Sequence, residues 1–291
     1  MAKKHNNTLS IIIVVLLVAL TVVIWWNIVS FLTTRNIAHA YFLDVGEGDS
    51  ELVVLPGNIK VMTDAGPDNS VLTSIEKVLP PGDDYIDLAV ISHPQLDHFN
   101  GYYYLLDHYR IGAFIWNGRD DAATVTEWPA LLSKIRAKNI PIITLAAGDK
   151  IKYKDNEIDM LSPDSSFAAS AELNDTVLVE LVKTIGFRIL LTADIGFNVE
   201  DHLMAQGKDI RADVLKVAHH GSKYASAAVF LAAVNPKIAV IEVGAKNKYG
   251  HPAKETLARI ASSTSAVVLR TDQDGTIAIS AENGKLKYSW Q

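Results

Sequence analysis

The chain of 291 residues contains no cysteine. That excludes disulfides, thiolate zinc fingers, iron–sulfur clusters, a lipoprotein-type lipid anchor and a Cys nucleophile. Any metal must then be held by histidine, carboxylate or carbonyl groups, and the absence fits either redox compartment. Charged residues are few, 21% against 49% hydrophobic, a balance that excludes a disordered or fibrous chain. Residues 41–291 also lack low-complexity tracts and multi-copy repeats. The length fits one large or two modest domains.

One long apolar run is present. Leu9 to Leu32 carries no charge over 24 residues. At helical rise it reaches roughly 36 Å, enough for a hydrocarbon core of about 30 Å. Trp25 and Trp26 suit an interface belt. Lys3 and Lys4 precede the run and Arg35 follows it, so the positive-inside rule places the N-terminus in the cytoplasm and the rest outside. The expected order is a cytoplasmic stub at 1–8, an anchor at 9–32, a linker at 33–40 and a domain at 41–291. The protein is then a single-pass protein of the cytoplasmic membrane. A secreted form, cleaved after Ala40 in Ala38-His39-Ala40, is the alternative, although the run exceeds the usual signal core of about 7–15 residues.

The net charge is −6, and residues 1–40 carry three basic side chains and no acid, which leaves −9 for the remainder. Such a balance excludes a general polyanion-binding surface. Positive charge is nevertheless concentrated between Lys216 and Lys254, where Lys216, Lys223, Lys237, Lys246, Lys248 and Lys254 face one acid, Glu242. On charge alone this is a solvated face.

Apolar runs punctuated by Gly and Pro predict strands at 41–45, 51–55 and 59–63, then a helix at 71–79 ended by Pro80-Pro81. A buried strand at 86–92 precedes a helix at 101–109. An amphipathic helix covers 127–138 with Leu131, Leu132 and Ile135 on one face. Further strands fall at 140–145, 177–184, 187–192, 214–218, 238–243, 267–270 and 276–280, and helices at 199–205, 227–234 and 253–262. This is a mixed α/β sandwich rather than a purely parallel sheet. One echo recurs: Asp87-Leu-Ala-Val-Ile-Ser-His93 and Asp213-Val-Leu-Lys-Val-Ala-His219 are each an Asp, a short strand and a His. Two similar halves would bring both histidines to one rim.

Several chemically capable residues lie at strand ends. His93, Asp97 and His98 in His-Pro-Gln-Leu-Asp-His suit Zn²⁺ or Mn²⁺. Asp44 opens the loop of Phe-Leu-Asp-Val-Gly-Glu-Gly-Asp-Ser. Asp64, Asp194, the pair His219-His220 and His251 complete the set. Singly, Asp64 and Asp194 read as turn caps and His251 as a surface histidine. Jointly they converge on one edge, which turn chemistry does not require. Tyr102, Tyr103 and Tyr104 offer stacking surfaces for bases, but core and surface positions of a helix are the preferred reading.

In order, FLDVGEGDS, TDAG, HPQLDH, LTAD, LKVAHHGS and NKYGHP resemble the metallo-β-lactamase fold, and more closely the extracytoplasmic hydrolase domain of the ComEC competence DNA-uptake family. The resemblance covers about residues 41–280. It implies an αββα sandwich with metals at its rim and metal-activated water attacking a phosphodiester, with DNA as the expected substrate. This chain carries one spanning segment where the family has a multi-helix channel, so a separate channel protein is an expected partner. The family motif HxHxDH falls on His93, Gln95, Asp97 and His98, with Gln95 replacing a histidine. Asp194 matches the acid that bridges two metals, and His219 or His220 the last metal-binding histidine. The internal echo favours His219. Asp64 would orient a ligand, with Asp44 in a similar or weakly ligating place. Asn174 stands where that subgroup has Asn, and no histidine lies between His108 and His202.

By the same resemblance, His251 faces the substrate phosphate, in the company of Ser222, Lys223 and Lys248, and is catalytic together with Asp97. Lys216 and Lys246 flank the motifs as well. Gln95 offers only an amide oxygen beside His93 and Asp194, so one tight metal and one weak position are expected. A hydrolase of the same fold acting on another anionic substrate, and a binding module with weakened chemistry, are the alternatives.

Overall fold

The computed structural model describes residues 2–34, 37–119 and 126–290. Arg35 and the side chains of Lys3 and Lys4, on which the anchor's orientation rests, lie outside the described residues. Helix α1 (Ala2–Thr34) contains the apolar run, and its segment Leu9–Trp26 is long and apolar enough to cross a membrane.

The first sheet is built from β1 (His39–Phe42), β2 (Glu51–Leu55), β3 (Ile59–Thr63), β4 (Tyr85–Val90), β5 (Arg110–Trp116) and β6 (Ile142–Thr144). The second takes β7 (Lys150–Tyr153), β8 (Asn156–Ser162), β9 (Val179–Lys183), β10 (Arg188–Leu191), β11 (Val214–Lys216), β12 (Ile238–Ile241) and β13 (Val267–Arg270). The chain then returns to the first sheet with β14 (Ile277–Glu282) and β15 (Lys285–Trp290). The orders are β15-β14-β1-β2-β3-β4-β5-β6 and β13-β12-β11-β10-β9-β8-β7.

Alternating apolar residues of the two inner faces, among them Phe42, Val53, Val90, Ile189, Val214 and Val240, form a core between the sheets. The outer face of the first sheet is covered by α2 (Ser70–Glu76), α3 (Leu96–Phe99), α4 (Gly101–Leu105) and α5 (Glu127–Ala137), with Phe99, Tyr102, Trp128 and Leu131 buried beneath them. That of the second is covered by α6 (Phe197–Ala205), α7 (Ala228–Val234) and α8 (Lys254–Ser263) through Val199, Phe230 and Ile260. The result is the expected αββα sandwich.

Three pairings set the direction of the site. β3 runs parallel to β4, and β10 is parallel to β11, which is parallel to β12. Their carboxyl ends therefore share one rim, where Asp64, His93, Asp194, His219, His220 and Glu242 follow. The echo has a structural basis. Asp87 accepts the Lys60 amide at the head of β3 (2.9 Å), and Asp213 accepts the Arg188 amide at the head of β10 (3.0 Å). Each acid thus pins a parallel neighbour six residues before a rim histidine.

The expected element positions hold with shifts of one to a few residues. The helix placed at 101–109 ends at Leu105, and β5 follows it unannounced. The first strand starts at His39, inside the segment expected to be linker, with Ala38 and Ala40 buried.

Candidate metal centre

Asp64, at the end of β3, is buried and has a left-handed φ of 55°. This sparsely populated conformation turns its carboxylate back across the rim. Asp64 accepts the Ser92 amide (2.8 Å), the Ser92 hydroxyl (2.5 Å) and His98 Nδ1 (2.8 Å). The Ser92 hydroxyl also meets His93 Nδ1 at 2.9 Å. One carboxylate thus fixes the rings of His98, directly, and of His93, through Ser92.

His219 and His220 are consecutive left-handed residues (φ 51° and 52°) after β11. Each such non-glycine conformation costs of order 1–3 kcal/mol and persists only where the surroundings impose it. Its effect is to aim both rings at Asp194. His220 Nε2 lies 3.6 Å from Asp194 Oδ1, and His219 Nε2 lies 3.6 Å from Asp194 Oδ2. His220 is buried, with Nδ1 donating to the Glu242 carbonyl (3.0 Å) and lying 3.2 Å from Asp49 Oδ1. His219 is about one-third exposed.

Asp97, His98, Asp194 and His220 each present one atom within 4.8 Å of all the others. His98 Nε2, His220 Nε2 and Asp194 Oδ1 are buried without a hydrogen-bond partner. Unpartnered buried polar atoms are costly, and two imidazole nitrogens with carboxylate oxygens are the donor set a divalent ion of the Zn or Mn type takes. The residues therefore fit a metal. His93 Nε2 is also buried and unpartnered, but His93 does not belong to this four-residue group.

The electrostatics agree. Burial opposes charge on His98, yet Asp194, Asp64 and Asp97 override it and raise its pKa well above the ordinary value. Burial likewise opposes charge on His220, and Asp194 and Asp49 override it. Asp194 is held well below the usual carboxylate range, because His220 and His98 outweigh its burial. His93 is pushed down to about 4, by burial and then by the neighbouring His98. The carboxylates around both rings thus favour positive charge at this point, as a divalent ion would bring.

Asp49, in the β1–β2 loop, is a component that sequence reasoning missed. Gly48 lets this loop lie against the loop carrying Asp97. A Cβ at Gly48 would stand 2.3 Å from the Asp97 carbonyl, which the Asp49 amide engages at 3.2 Å. The Asp49 carboxylate forms a buried ion pair with Lys216, whose ammonium also donates to the Ala193 carbonyl at 3.1 Å. Lys216 is therefore a buried countercharge and not part of a substrate-facing strip. Asp44, five residues earlier in the same motif, accepts the Gly46 amide and does not line the site cavity. Two aspartates in one Gly-rich loop are indistinguishable by sequence; only the fold decides between them.

Above the histidines lies a cavity of about 540 Å³, lined on one side by Gln95, Asp97 and Asn174 and on the other by Lys246, Lys248 and His251. Gln95 Nε2 donates to Asn174 Oδ1 at 2.6 Å, so the two amides engage each other. His251 Nδ1 stands 3.6 Å from Glu47 Oε1. Ser222 and Lys223 do not line this cavity. The Ser222 hydroxyl accepts the Tyr224 amide (3.4 Å), and the Lys223 ammonium lies 5.0 Å from the centre of the Tyr224 ring.

Two sheets sandwiched between helices, with imidazole and carboxylate ends at one rim, define the metallo-β-lactamase fold. Among solved structures, the chain is similar to the metallo-β-lactamase fold protein YhfI from Bacillus subtilis, with a TM-score of 0.57, 12% identity, and coverage of 87% of this chain and 100% of that one. In sequence it resembles ComE operon protein 3 of Bacillus subtilis (strain 168), 31% identical over 264 residues, which covers 83% of this chain and 33% of that protein. It also resembles competence protein ComA of Neisseria gonorrhoeae, 34% identical over 103 residues, 35% of this chain and 15% of that protein. The chain spans about a third or less of the length of these relatives. No protein-family model matches it.

Proposed function

We propose that the protein is a membrane-anchored, metal-dependent hydrolase of phosphodiesters, acting on DNA in a competence-like role outside the cytoplasm. The observation that carries the metal is the convergence of Asp97, His98, Asp194 and His220 with three buried, unpartnered donor atoms. His220, rather than His219, is the ligand in this reading. A divalent ion held there supplies Lewis acidity and brings the pKa of water towards about 7. The chain's own residues do the rest. Asp64 orients His98, while Asp49 and the Glu242 carbonyl orient His220, which sharpens ligand geometry. Lys246 and Lys248 bring positive charge to the cavity that His251 also lines, which favours an anionic phosphodiester. His93, Gln95 and Asp194 make a weaker second position, since an amide is a poorer donor than imidazole.

The anchor reading is supported by β1. Cleavage after Ala40 would strip His39 and Ala40 from a four-residue strand and remove the buried Ala38. A separate channel protein would carry DNA onward.

The test is cleavage of single-stranded DNA, double-stranded DNA and a simple phosphodiester by the chain loaded with Mn²⁺ or Zn²⁺. Turnover that disappears together with bound metal in Asp194→Ala is expected. Bound metal with no turnover on any of the three substrates would refute the phosphodiesterase. It would instead favour a binding module, the reading to which the mutually engaged amides of Gln95 and Asn174 point.

A further inference from the structure

We propose that Tyr249 and Tyr224 are base-stacking positions that hold a single nucleic-acid strand on the two sides of Asp194; this rests on the phosphodiester reading above. The cavity over the histidines does not end at them. A second cavity of about 560 Å³ adjoins it, and the two share Gln95, Asn174, Asp194 and His219. The shared residues form a saddle between two arms. Tyr249 lines the first arm and Tyr224 the second.

Both rings are large apolar surfaces left in water, 73% exposed for Tyr249 and 66% for Tyr224. Neither is loosely attached. The Tyr249 amide donates to Asn247 Oδ1 at 3.2 Å, and the Tyr224 carbonyl accepts the Phe197 amide at 3.2 Å. Each stands beside lysine: Lys246 and Lys248 line the Tyr249 arm, and Lys223 lies against the Tyr224 ring. Of the acids that line the second arm, Glu172, Asp175 and Asp194, Asp175 is engaged by Asn198 (2.6 Å) and Ser170 (2.8 Å).

An exposed aromatic face with an adjacent cation is what a base and its phosphate require, and the face accepts any base. Tyr249 already stacks on His251, with centroids 5.7 Å apart and planes at 25°. A base on its outer face would extend that stack and bring its phosphate beside His251. The tyrosines of α4 do not compete for this role. Tyr102 is buried with its hydroxyl donating to the Met62 carbonyl, and Tyr103 is only 38% exposed. Neither they nor Tyr104 line either arm.

The test compares two strands of equal length and backbone charge: phosphorothioate oligothymidylate and a phosphorothioate strand of abasic units. Binding is read by fluorescence anisotropy with the full chain in detergent, loaded with Mn²⁺ or Zn²⁺. The wild-type protein should prefer the thymidylate strand by about tenfold or more. Tyr249→Ala and Tyr224→Ala should each weaken that strand by roughly 5–100-fold, the range of one stacked base. The abasic strand should stay within about twofold, and Tyr→Phe should restore the preference. Equal binding of the two strands by the wild type, or an equal loss on both in the alanine variants, overturns the stacking role while cleavage lost in Asp194→Ala still supports the hydrolase. A wild-type protein that binds neither strand also overturns the stacking role, whereas the hydrolase falls only with the absence of turnover on all three substrates above.

Discussion

Removing one member of the Asp49–Lys216 pair should unfold the protein more readily than removing both. Both groups are fully buried. In Asp49→Leu, the Lys216 ammonium would keep only the Ala193 carbonyl at 3.1 Å and the Asp194 carboxylate at 4.0 Å. In Lys216→Met, the Asp49 carboxylate would keep His220 Nδ1 at 3.2 Å and His98 Nδ1 at 3.7 Å, but it would face Glu51 and Glu242 without the ammonium between them. Those two acids are already pushed up, Glu51 well above its ordinary value and Glu242 to about 8, by burial first and then by neighbouring carboxylates. A half-broken buried pair costs about 3–5 kcal/mol. The remaining partners place both single variants near the lower end. For a domain of this size, that is a loss of roughly 6–12 °C in Tm. The double variant restores an apolar pair of similar volume and should recover most of the loss, because the desolvation penalty leaves together with the attraction. It should still bind metal about 10–100-fold more weakly, since His220 loses Asp49 as an orienting partner. Thermal melting of the full chain in detergent, alongside metal titration, separates the two effects. A Lys216→Met protein that melts with the wild type, or a double variant no more stable than either single one, would refute the reasoning.

Metal analysis should find about one tightly bound divalent ion per chain, and Gln95→His should raise the occupancy of a second, because imidazole replaces an amide; two tight ions in the unmodified protein would contradict this. His251→Ala should keep the metal while slowing phosphodiester cleavage by about 10²–10⁴-fold, which metal content and single-turnover rates measure side by side. Protease added to intact cells should digest the domain after α1. Digestion only after lysis would place it in the cytoplasm.

Much of the fold was legible because buried strands leave a strong apolar signal. β2 carries the apolar run 52–55 and β3 one broken only by Lys60, both bounded by turn residues, and their positions follow directly. β5 was missed because Gly112 interrupts it, and only the packed sheet explains that glycine: a Cβ there would stand 2.6 Å from both the Asp87 carbonyl and the Tyr85 hydroxyl. The hairpin of β7 and β8 and the edge strand β15 were missed for a different reason. Lys150-Ile-Lys-Tyr153 and Lys285-Leu-Lys-Tyr288 alternate charge with apolar residues at half-exposed positions, which composition reads as loop. In the site, His98 and Asp194 stood out by residue type. What could not be read was pairing: that Ser92 relays Asp64 to His93, that Asp49 rather than Asp44 reaches His220, and that Lys216 points inward while Lys248 lines the cavity.

The entry point of β1 bears on how the protein would work at a membrane. His39 pairs with Val54, and Phe42 with Glu51, which in turn pairs with Thr63 next to Asp64. The chain thus enters the domain at the rim opposite the histidines. Residues 35–38 allow at most about 18 Å between the end of α1 and His39. On the anchor reading proposed above, the tether would join the domain at the rim away from the groove. A long polymer arriving from the aqueous side could lie across the groove, both ends free, so that the anchor sets the height at which it is intercepted.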